Sequence, residues 1–317
     1  MADVPNERLT ALSQEFLNLF DALSGLHPGF RPVHAKGVMV TGTFAPLPGA
    51  TSITRAPHLQ HASTPVTVRF SNAAGLPTIA DNDPNGAGPR GFAIRFHLGD
   101  HVHTDIVAHS TDGFPTRNAE EFLEFLQAVT KSGPDAPKPT PLDTFLAGHP
   151  AAVRFIQTPK PIPTSFARES FFGVTAMRFT NSAGDSRFGR FRIYPVEGND
   201  YLTTEAAAAK DADFLFEELS ERLKRGPVRF RVLVQLAESS DQVNDSTVHW
   251  PEDRPSQELG EVVLTEQVAA DDLEKKKIIF DPVPRVDGID PSDDPLIEMR
   301  SAIYLISGRR RRAAGVK

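Results

Sequence analysis

The spacing of apolar side chains predicts a helix at the start of the chain and another further along it. Within residues 6–25, apolar residues recur at the three- and four-residue intervals of one helix face, at Leu9, Leu12, Phe16, Leu17, Phe20 and Leu23. Ser24 and Gly25 then end the pattern. Residues 118–130 show the same period, and Asn118 is a residue type that caps helix N-termini well. We therefore predict a lead helix over 6–25 and a second helix over 118–130.

Short runs rich in β-branched and aromatic residues, separated by Gly, Pro, Asn and Asp, predict strands. The predicted strands cover residues 38–44, 66–70, 92–96, 171–180, 188–194, 228–237 and 261–266. Residues 181–185, with the sequence Asn-Ser-Ala-Gly-Asp, give a strong turn signal between two of them. Helical patterns return at 204–224 and at about 294–310, where Pro295 suits the first helical position. The elements predict an α+β fold with an antiparallel sheet.

Charge and composition exclude several classes of partner and chemistry. The chain of 317 residues carries 34 Lys and Arg against 41 Asp and Glu, and this acidic balance argues against nucleic acid or an anionic membrane as the main partner. Cysteine is absent, which excludes disulfides, iron–sulfur clusters, a thiolate-ligated haem and a cysteine nucleophile. A metal in this protein must therefore be held by His, Tyr, Asp, Glu or Met.

The start of the chain lacks the features of a signal peptide. Residues 1–7 contain no basic segment, and the apolar residues after them are broken by polar ones. No apolar run approaches the roughly 20 residues that a membrane-spanning helix needs. We therefore expect a cytoplasmic protein with a small-molecule substrate and no membrane or nucleic-acid partner, folded as a single domain over residues 1–317.

Seven short strings with chemically informative residues follow one another along most of the chain. They are Arg31–Gly37, Val68–Ser71, Pro89–Ala93, Asp105–Val107, Trp250–Glu252, Phe280–Pro282 and Arg300–Tyr304. In this order the sequence resembles the haem catalases, and most closely their short branch, the catalase-related peroxidases. The resemblance implies an antiparallel β-barrel of the catalase fold over about residues 37–290, flanked by α-helices, in the minimal form without the C-terminal helical extension. It also implies one b-type haem, with the axial ligand on the C-terminal helix.

Two tyrosines have an arginine four residues before them, and only one of these pairs lies on a predicted helix. The tyrosines are Tyr194 and Tyr304. In the strand predicted around Tyr194, four residues span about 13 Å, whereas a helical pair at this spacing faces one way at about 6 Å. Tyr304 therefore has the arginine, Arg300, that can hold a phenolate. The resemblance gives Tyr304 the iron; the plainer alternative is a tyrosine packed beside an arginine on a helix face.

The resemblance implies roles for further residues around the haem. His34 stands in the place of the distal histidine, which moves a proton between the two peroxide oxygens so that the O–O bond breaks heterolytically and leaves a ferryl haem. Ser71 matches a residue that hydrogen-bonds this histidine and fixes its tautomer. Three arginines match those that pair with the haem propionates: Arg31, Arg69 and Arg311. Three apolar residues match those that lie beside the haem: Val33, Phe114 and Phe122.

His109 departs from the family pattern. The sequence reads Val107-Ala108-His109-Ser110 where the family has an asparagine that helps to orient peroxide for the oxidising half-reaction. A histidine side chain has a pKa of about 6.5 and can be charged, a neutral donor or an acceptor. Either protonation state favours peroxidase over catalase activity. We therefore expect weak oxygen release and ready consumption of an electron donor. The alternative is that His109 points away and Ser110 or Thr111 lines the pocket.

Other patterns have plainer interpretations. Two histidine pairs resemble fragments of metal sites but lack further ligands at suitable spacing: His101 with His103, and His58 with His61. The basic run 309–312 is also typical of a solvated chain end. The aromatic residues assigned to the haem pocket are also typical of an ordinary hydrophobic core.

The sequence predicts a haem peroxidase that reduces hydrogen peroxide or organic hydroperoxides with an electron donor of unidentified chemistry. Two alternatives stay open. One is a haem isomerase that converts fatty-acid hydroperoxides into allene oxides without a donor, and the other is a non-enzymatic haem-binding protein. His34 favours an enzyme, since storage needs no distal base. The sequence leaves the oligomeric state open, a homodimer included.

Overall fold

The computed structural model describes residues 7–270 and 272–316. The helices are α1 (Glu7–Ser24), α2 (Ala50–Ile53), α3 (Ala119–Thr130), α4 (Pro141–Gly148), α5 (Pro150–Gln157), α6 (Thr204–Ala208), α7 (Phe214–Arg225), α8 (Leu273–Lys276) and α9 (Leu296–Ala313). The strands are β1 (Gly37–Pro46), β2 (Thr64–Ser71), β3 (Gly91–Gly99), β4 (Val102–His109), β5 (Phe171–Phe172), β6 (Met177–Thr180), β7 (Ser186–Pro195), β8 (Val228–Leu236), β9 (Ser256–Gln267) and β10 (Ile289–Pro291). Asn6, the first residue of the predicted lead helix, and the residues before it lie outside the described residues.

Eight strands close into an antiparallel barrel. Around the ring they follow the order β1, β2, β3, β4, β5, β7, β8 and β9, and β9 pairs again with β1. The remaining strands, β6 and β10, extend the sheet outward from β7. Closure pairs the edges that an open sheet would leave exposed. The predicted α+β fold with an antiparallel barrel and flanking helices is confirmed.

Phenylalanine rings fill the barrel interior, because alternate residues of each strand point inward. Phe70, Phe92 and Phe230 come from β2, β3 and β8, and their ring centroids lie between 5.3 and 5.9 Å apart. Phe166 and Phe171 pack onto the same group. Truncating one such ring to alanine typically costs about 3–5 kcal/mol. The packed interior gives a rigid base for the side chains at the strand ends.

A second apolar cluster lies among helices outside the barrel interior. It joins α1, α3 and α9 through Phe16, Leu17, Phe20, Ala119, Leu123, Met299 and Ile303. Val33, Phe122 and Tyr304 pack against this cluster from its edge. The cluster thereby holds the predicted C-terminal helix beside the segment that carries His34. None of the described helices is long and apolar enough to cross a membrane.

Local signals in the sequence account for two of the observed elements. The Asn118 side chain accepts a hydrogen bond from the Glu121 N–H at 2.9 Å and so caps α3, as predicted. In the hairpin between β6 and β7, Asn181 Oδ1 accepts from the N–H groups of Ala183 and Asp185, both at 3.0 Å. These short-range contacts are of the kind that a local residue pattern can specify.

Three predictions of local structure were wrong in detail. The strand predicted over 171–180 is interrupted between β5 and β6, where Thr175 contacts Ser246 instead of extending the ladder. The helix predicted over 204–224 is two helices, since the Ala212 carbonyl between them accepts from Lys36 Nζ at 2.9 Å. Pro295 is the N-cap of α9 rather than its first residue. Contacts between distant segments decide two of these differences.

Candidate active site

One end of the barrel carries a row of aligned strand ends. Gly37 on β1 pairs with Ser71 on β2, Ser71 with Gly91 on β3, and Gly91 with His109 on β4. Gly91 is needed in this row because a Cβ there would lie 2.5 Å from Ser71 Oγ and 2.9 Å from His34 Nδ1. The missing side chain leaves room for the imidazole of His34 against the sheet.

The His34 imidazole is held from several sides. Its backbone is left-handed, with φ 54°, and its N–H donates to the Ala73 carbonyl at 2.8 Å. The Arg69 guanidinium donates to the His34 carbonyl at 2.8 Å, and the ring Nδ1 lies 3.1 Å from Ser71 Oγ. Nε2 is then the ring nitrogen without a hydrogen-bond partner in the described part of the chain. With the proton on Nδ1, Nε2 is able to accept one.

Burial keeps His34 neutral. Loss of solvation lowers its pKa to about 4, and the positive charge of Arg69 adds to the effect. Arg31 and Arg300 lower the pKa further, while a hydrogen bond with the Asn72 backbone opposes them. The residue as a whole nevertheless keeps some accessible surface. At neutral pH the group is an imidazole, the form that a proton acceptor requires.

His109 lies at the end of β4, opposite Gly91, and close enough to His34 for the two rings to affect each other's protonation. Burial lowers the pKa of His109 to about 3, helped by the charge of Arg300 and by repulsion from His34 when both rings are protonated, while a contact with the Thr111 backbone opposes these effects. Its Nδ1 accepts a hydrogen bond from the Thr111 N–H at 3.3 Å, so the neutral ring carries its proton on Nε2. Ser110 is turned elsewhere, since its Oγ accepts from the Arg90 N–H at 2.9 Å. A ring in this state is a neutral donor, one of the states that the sequence leaves open.

Three arginines meet beside these histidines with no carboxylate to balance them. Arg69 and Arg311 are buried, Arg31 is half-buried, and in the described residues none of the three forms an ion pair. They donate instead to backbone carbonyl groups. Arg69 donates to the carbonyls of His34 and Ala35, and Arg31 and Arg311 both donate to the carbonyl of Ile278. Burial lowers the pKa of Arg69 to about 9 and of Arg311 to about 10, and the pKa of Arg31 also lies well below its usual value.

Buried cations without counterions are costly unless a ligand supplies negative charge. This cluster therefore indicates a site for an anionic group with more than one carboxylate or phosphate oxygen. Arg310 and Arg312, its neighbours in the basic run, behave differently: Arg310 pairs with Asp21, and Arg312 donates to the Lys277 carbonyl. The interpretation of the whole run as a solvated chain end is thus wrong for Arg311.

Tyr304 and Arg300 lie on the same face of α9, one turn apart. The Arg300 guanidinium carbon is 5.9 Å from the centre of the Tyr304 ring. Tyr304 packs with Val33 and Phe122 at the edge of the helical cluster, and Phe114 lies 4.8 Å from Phe122 between ring centroids. Every apolar residue that the sequence assigns to the haem pocket is therefore in one connected group with the tyrosine.

These residues fit a haem. The site has a phenol on a helix, two neutral imidazoles, apolar and aromatic side chains, and buried guanidinium groups that lack counterions. The last feature matches the two propionates of the cofactor. The pairs His101 with His103 and His58 with His61 lie elsewhere, and within residues 7–270 and 272–316 no group of three His, Asp or Glu side chains is arranged to hold a metal ion.

Sequence reasoning missed two residues that shape this site. Gly91 makes room for His34, and Thr111 fixes the tautomer of His109 through its backbone N–H. Gly91 belongs to the string Pro89–Ala93, which indicated the family without revealing the clash that a side chain would cause. The Thr111 contact depends on backbone conformation after β4, for which the sequence carries no evident signal.

We expect the variant Gly91→Ala to retain its haem but to react with peroxide more slowly by at least about 10-fold, because displacing a catalytic group by about 1 Å has effects of this size or larger. Stopped-flow absorbance after mixing with peroxide measures the rate. Gly133→Ala is the matched control, since a Cβ at that position would have no atom within 4 Å in the described residues apart from its own chain neighbours. An unchanged rate in Gly91→Ala would show that the His34 ring does not depend on this space.

Comparison with known proteins places the chain in a family. The family model described as Catalase matches residues 29–317. The catalase-related peroxidase of Mycolicibacterium paratuberculosis is 35% identical over 294 residues, which cover 90% of each chain. That of Synechococcus elongatus is 30% identical over 302 residues, covering 94% of this chain and 88% of the relative. Catalase-2 of Bacillus subtilis is 32% identical over 296 residues, covering 86% of this chain and 42% of the relative.

Solved structures agree on the fold. Catalase A from Saccharomyces cerevisiae superposes with a TM-score of 0.79 at 23% identity, over 93% of this chain and 64% of the yeast protein. A fungal catalase gives a TM-score of 0.78 at 22% identity, over 93% of this chain and 62% of that protein. The family model covers most of the sequence, and a relative is 35% identical over nine-tenths of it; this chain therefore belongs to the catalase family.

Proposed function

We propose that this chain is a haem-dependent peroxidase that reduces hydrogen peroxide or organic hydroperoxides with electrons from a small donor and releases little oxygen. As a member of the catalase family it is an oxidoreductase acting on peroxide. Two relatives of similar length carry the name catalase-related peroxidase, which supports the peroxidase half of the proposal. The proposal also includes two more specific statements. The enzyme oxidises its donor in preference to releasing oxygen, and its cofactor is haem b.

The proposal is supported by two neutral imidazoles with opposite hydrogen-bonding roles beside the same row of strand ends. His34 presents Nε2 as an acceptor, and His109 presents Nε2–H as a donor. A hydroperoxide between them would lose its proton to His34, and the same nitrogen would return the proton to the leaving oxygen. His109 would hold the peroxide by donating to it. The low pKa of both rings keeps these roles fixed at neutral pH.

The other residues of the site would hold and orient the cofactor. Tyr304 would hold the iron through its phenolate oxygen, with the charge of Arg300 stabilising the phenolate. The three arginines without counterions would bind the propionates, and Val33, Phe114 and Phe122 would exclude water from the rings. Haem, when bound, supplies the electrons for heterolytic cleavage of the O–O bond.

An absorption spectrum of the purified protein before and after one equivalent of peroxide tests the proposal. We expect a haem spectrum that changes on mixing and returns when a one-electron donor is added. Bound haem with no spectral response would indicate a haem-binding protein instead. Complete conversion of a fatty-acid hydroperoxide to an allene oxide, with no donor consumed, would indicate an isomerase. Each of these two results would contradict a peroxidase.

The rate of reaction with peroxide should be nearly constant between about pH 5 and 8. The neutral form of His34 is the acceptor, and since its pKa is lowered to about 4, protonation removes it only as the pH falls toward that value. An unperturbed histidine would instead lose activity below about pH 6.5. Stopped-flow rates across this range distinguish the two, and an inflection near 6.5 would contradict the lowered pKa.

The variant His109→Asn should release more oxygen relative to donor oxidised than the unmodified protein does. His109 offers a single donor, because its Nδ1 is engaged with Thr111, whereas an asparagine amide offers two N–H donors and an acceptor oxygen to a second peroxide. We expect the ratio to rise several-fold. Oxygen-electrode and donor-absorbance measurements on the same samples give it, and an unchanged ratio would remove His109 from the choice between the two reactions.

A further inference from the structure

A surface groove adjoins the proposed haem pocket and is not used by the mechanism above. Its outer part, of about 580 Å³, is lined by Arg154, Gln157, Thr158, Val248 and His249. It narrows inward to a recess of about 10 Å³, room for one water-sized group, which shares Arg154, Thr158 and His249 and reaches Thr111, Asp112 and Phe114. The groove therefore leads from the exterior to a residue that we assign to the haem pocket.

The outer part of the groove carries one charged side chain, that of Arg154. Arg154, in the last turn of α5, is exposed, and in the described residues no carboxylate lies within ion-pair distance of its guanidinium. Asp112, the acidic residue of the lining, forms a salt bridge with Arg192, with 3.0 Å between Asp112 Oδ2 and Arg192 Nη2. His249 is also exposed, and its ring lies against Gly113, where a Cβ would be 2.5 Å from Nε2. A carboxylate in the groove would thus find a cation and an exposed imidazole beside it.

The C-terminal end of α5 would normally repel an anion, because its carbonyl groups carry partial negative charge. Here Lys160 neutralises that end: its Nζ donates to the carbonyls of Phe155 at 2.7 Å and Thr158 at 3.1 Å. The same ammonium lies 4.8 Å from the centre of the Phe155 ring. The ring, which lines the recess, supplies an apolar face for an aromatic ligand beside the charged groups.

The inner end of the recess offers two oxygens that lack hydrogen-bond partners in the described residues. They are Thr111 Oγ1 and Asp112 Oδ1, both buried. Buried polar atoms without partners are unfavourable by about 1–3 kcal/mol each, and a hydroxyl reaching this end would satisfy them. Thr111 is also the residue whose N–H binds His109, and the Phe114 ring packs against that of Phe122 at a tilt. A ligand hydroxyl here would lie next to the proposed catalytic site.

We propose that this groove binds the electron donor, and that the donor is a phenol carrying a carboxylate. The carboxylate binds Arg154 and His249, the ring lies on Phe155, and the phenolic hydroxyl points into the recess toward Asp112. Two donor molecules in turn each lose one electron and the hydroxyl proton and leave as phenoxyl radicals. The two electrons and two protons reduce one hydroperoxide to an alcohol and water. This inference rests on the proposed peroxidase function.

Isothermal titration calorimetry of the haem-containing protein with 4-hydroxybenzoate tests the site without turnover. We expect the anion to bind at least about 10-fold more tightly than its neutral analogue 4-hydroxybenzamide. The substitution Arg154→Gln should lower the affinity for the anion by about 10-fold or more and leave the affinity for the amide unchanged, because it removes a charge-assisted hydrogen bond. Arg187→Gln, an exposed arginine on β7, is the matched control and should leave both affinities unchanged.

Kinetics on the same variants link the site to turnover. In Arg154→Gln the KM for 4-hydroxybenzoate should rise about 10-fold or more, while the rate of the peroxide-induced spectral change stays the same, since Arg154 lies outside the peroxide site. Equal affinities of the original protein and Arg154→Gln for the anion, or no binding at millimolar concentration, would overturn the proposal. Arg154-dependent binding in a protein that does not react with peroxide would instead overturn the proposed function and leave the binding groove in place.

Discussion

Tyr304→Phe is expected to lose most of its haem while keeping a folded barrel. The phenol oxygen is the proposed axial ligand, and the substitution removes that one atom while preserving the ring that packs with Val33 and Phe122. The haem-to-protein absorbance ratio of the purified variant, with far-ultraviolet circular dichroism as the measure of folding, gives the result. We expect occupancy to fall by at least about 10-fold, since the axial bond is the main anchor of a b-type haem.

Tyr194→Phe is the matched control for this experiment. Tyr194 also follows an arginine by four residues, but it lies on β7 with its ring against Phe172, so its haem content should be unchanged. Full occupancy and an unchanged spectrum in Tyr304→Phe would show that another group holds the iron. A loss of haem in both variants would point to general destabilisation rather than to a ligand.

His34→Asn should keep its haem and react with peroxide more slowly by about 10²-fold or more, the usual range for loss of a general acid–base group. Asparagine is the better substitution than alanine, because the backbone at His34 is left-handed with φ 54°, a conformation that asparagine adopts more readily. The amide cannot accept and return a proton at neutral pH. Stopped-flow absorbance after mixing with peroxide measures the effect.

His103→Ala serves as the control for His34→Asn. His103 lies on β4, the strand that ends at His109, but is paired across from His97 at the opposite end. Its removal should leave the rate of reaction with peroxide within about 2-fold of the original. Unchanged rates in both variants would mean that proton transfer by His34 does not limit cleavage of the O–O bond.

Most strands were predictable because strand and turn signals are local, whereas their closure into a barrel was implied by the resemblance to the family. Alternating side chains in β2 and β3, and the Asn181 turn, specify their own conformations. Predictions failed where a distant segment intervenes, as between α6 and α7, whose connecting carbonyl at Ala212 is bound by Lys36 and by the Asp81 N–H. Such contacts form only when the chain is folded, so the local sequence pattern does not predict them.

For the candidate site, the residue types were predictable and their chemical states were not. The order of short strings along the chain led to His34, His109 and Tyr304. The protonation of His109, however, depends on burial and on the Thr111 N–H, and the sequence left it open. Likewise, only the folded chain shows that Arg311 is buried beside other arginines rather than solvated.

The most direct test of the peroxidase proposal is the stoichiometry of peroxide consumption, followed with an oxygen electrode and donor absorbance in one sample. We expect two molecules of a one-electron donor to be oxidised for each hydroperoxide consumed, with oxygen release small in comparison and peroxide consumption nearly stopped when the donor is left out. Release of one oxygen molecule for every two molecules of hydrogen peroxide, at the same rate with and without donor, would contradict the proposal and indicate a catalase.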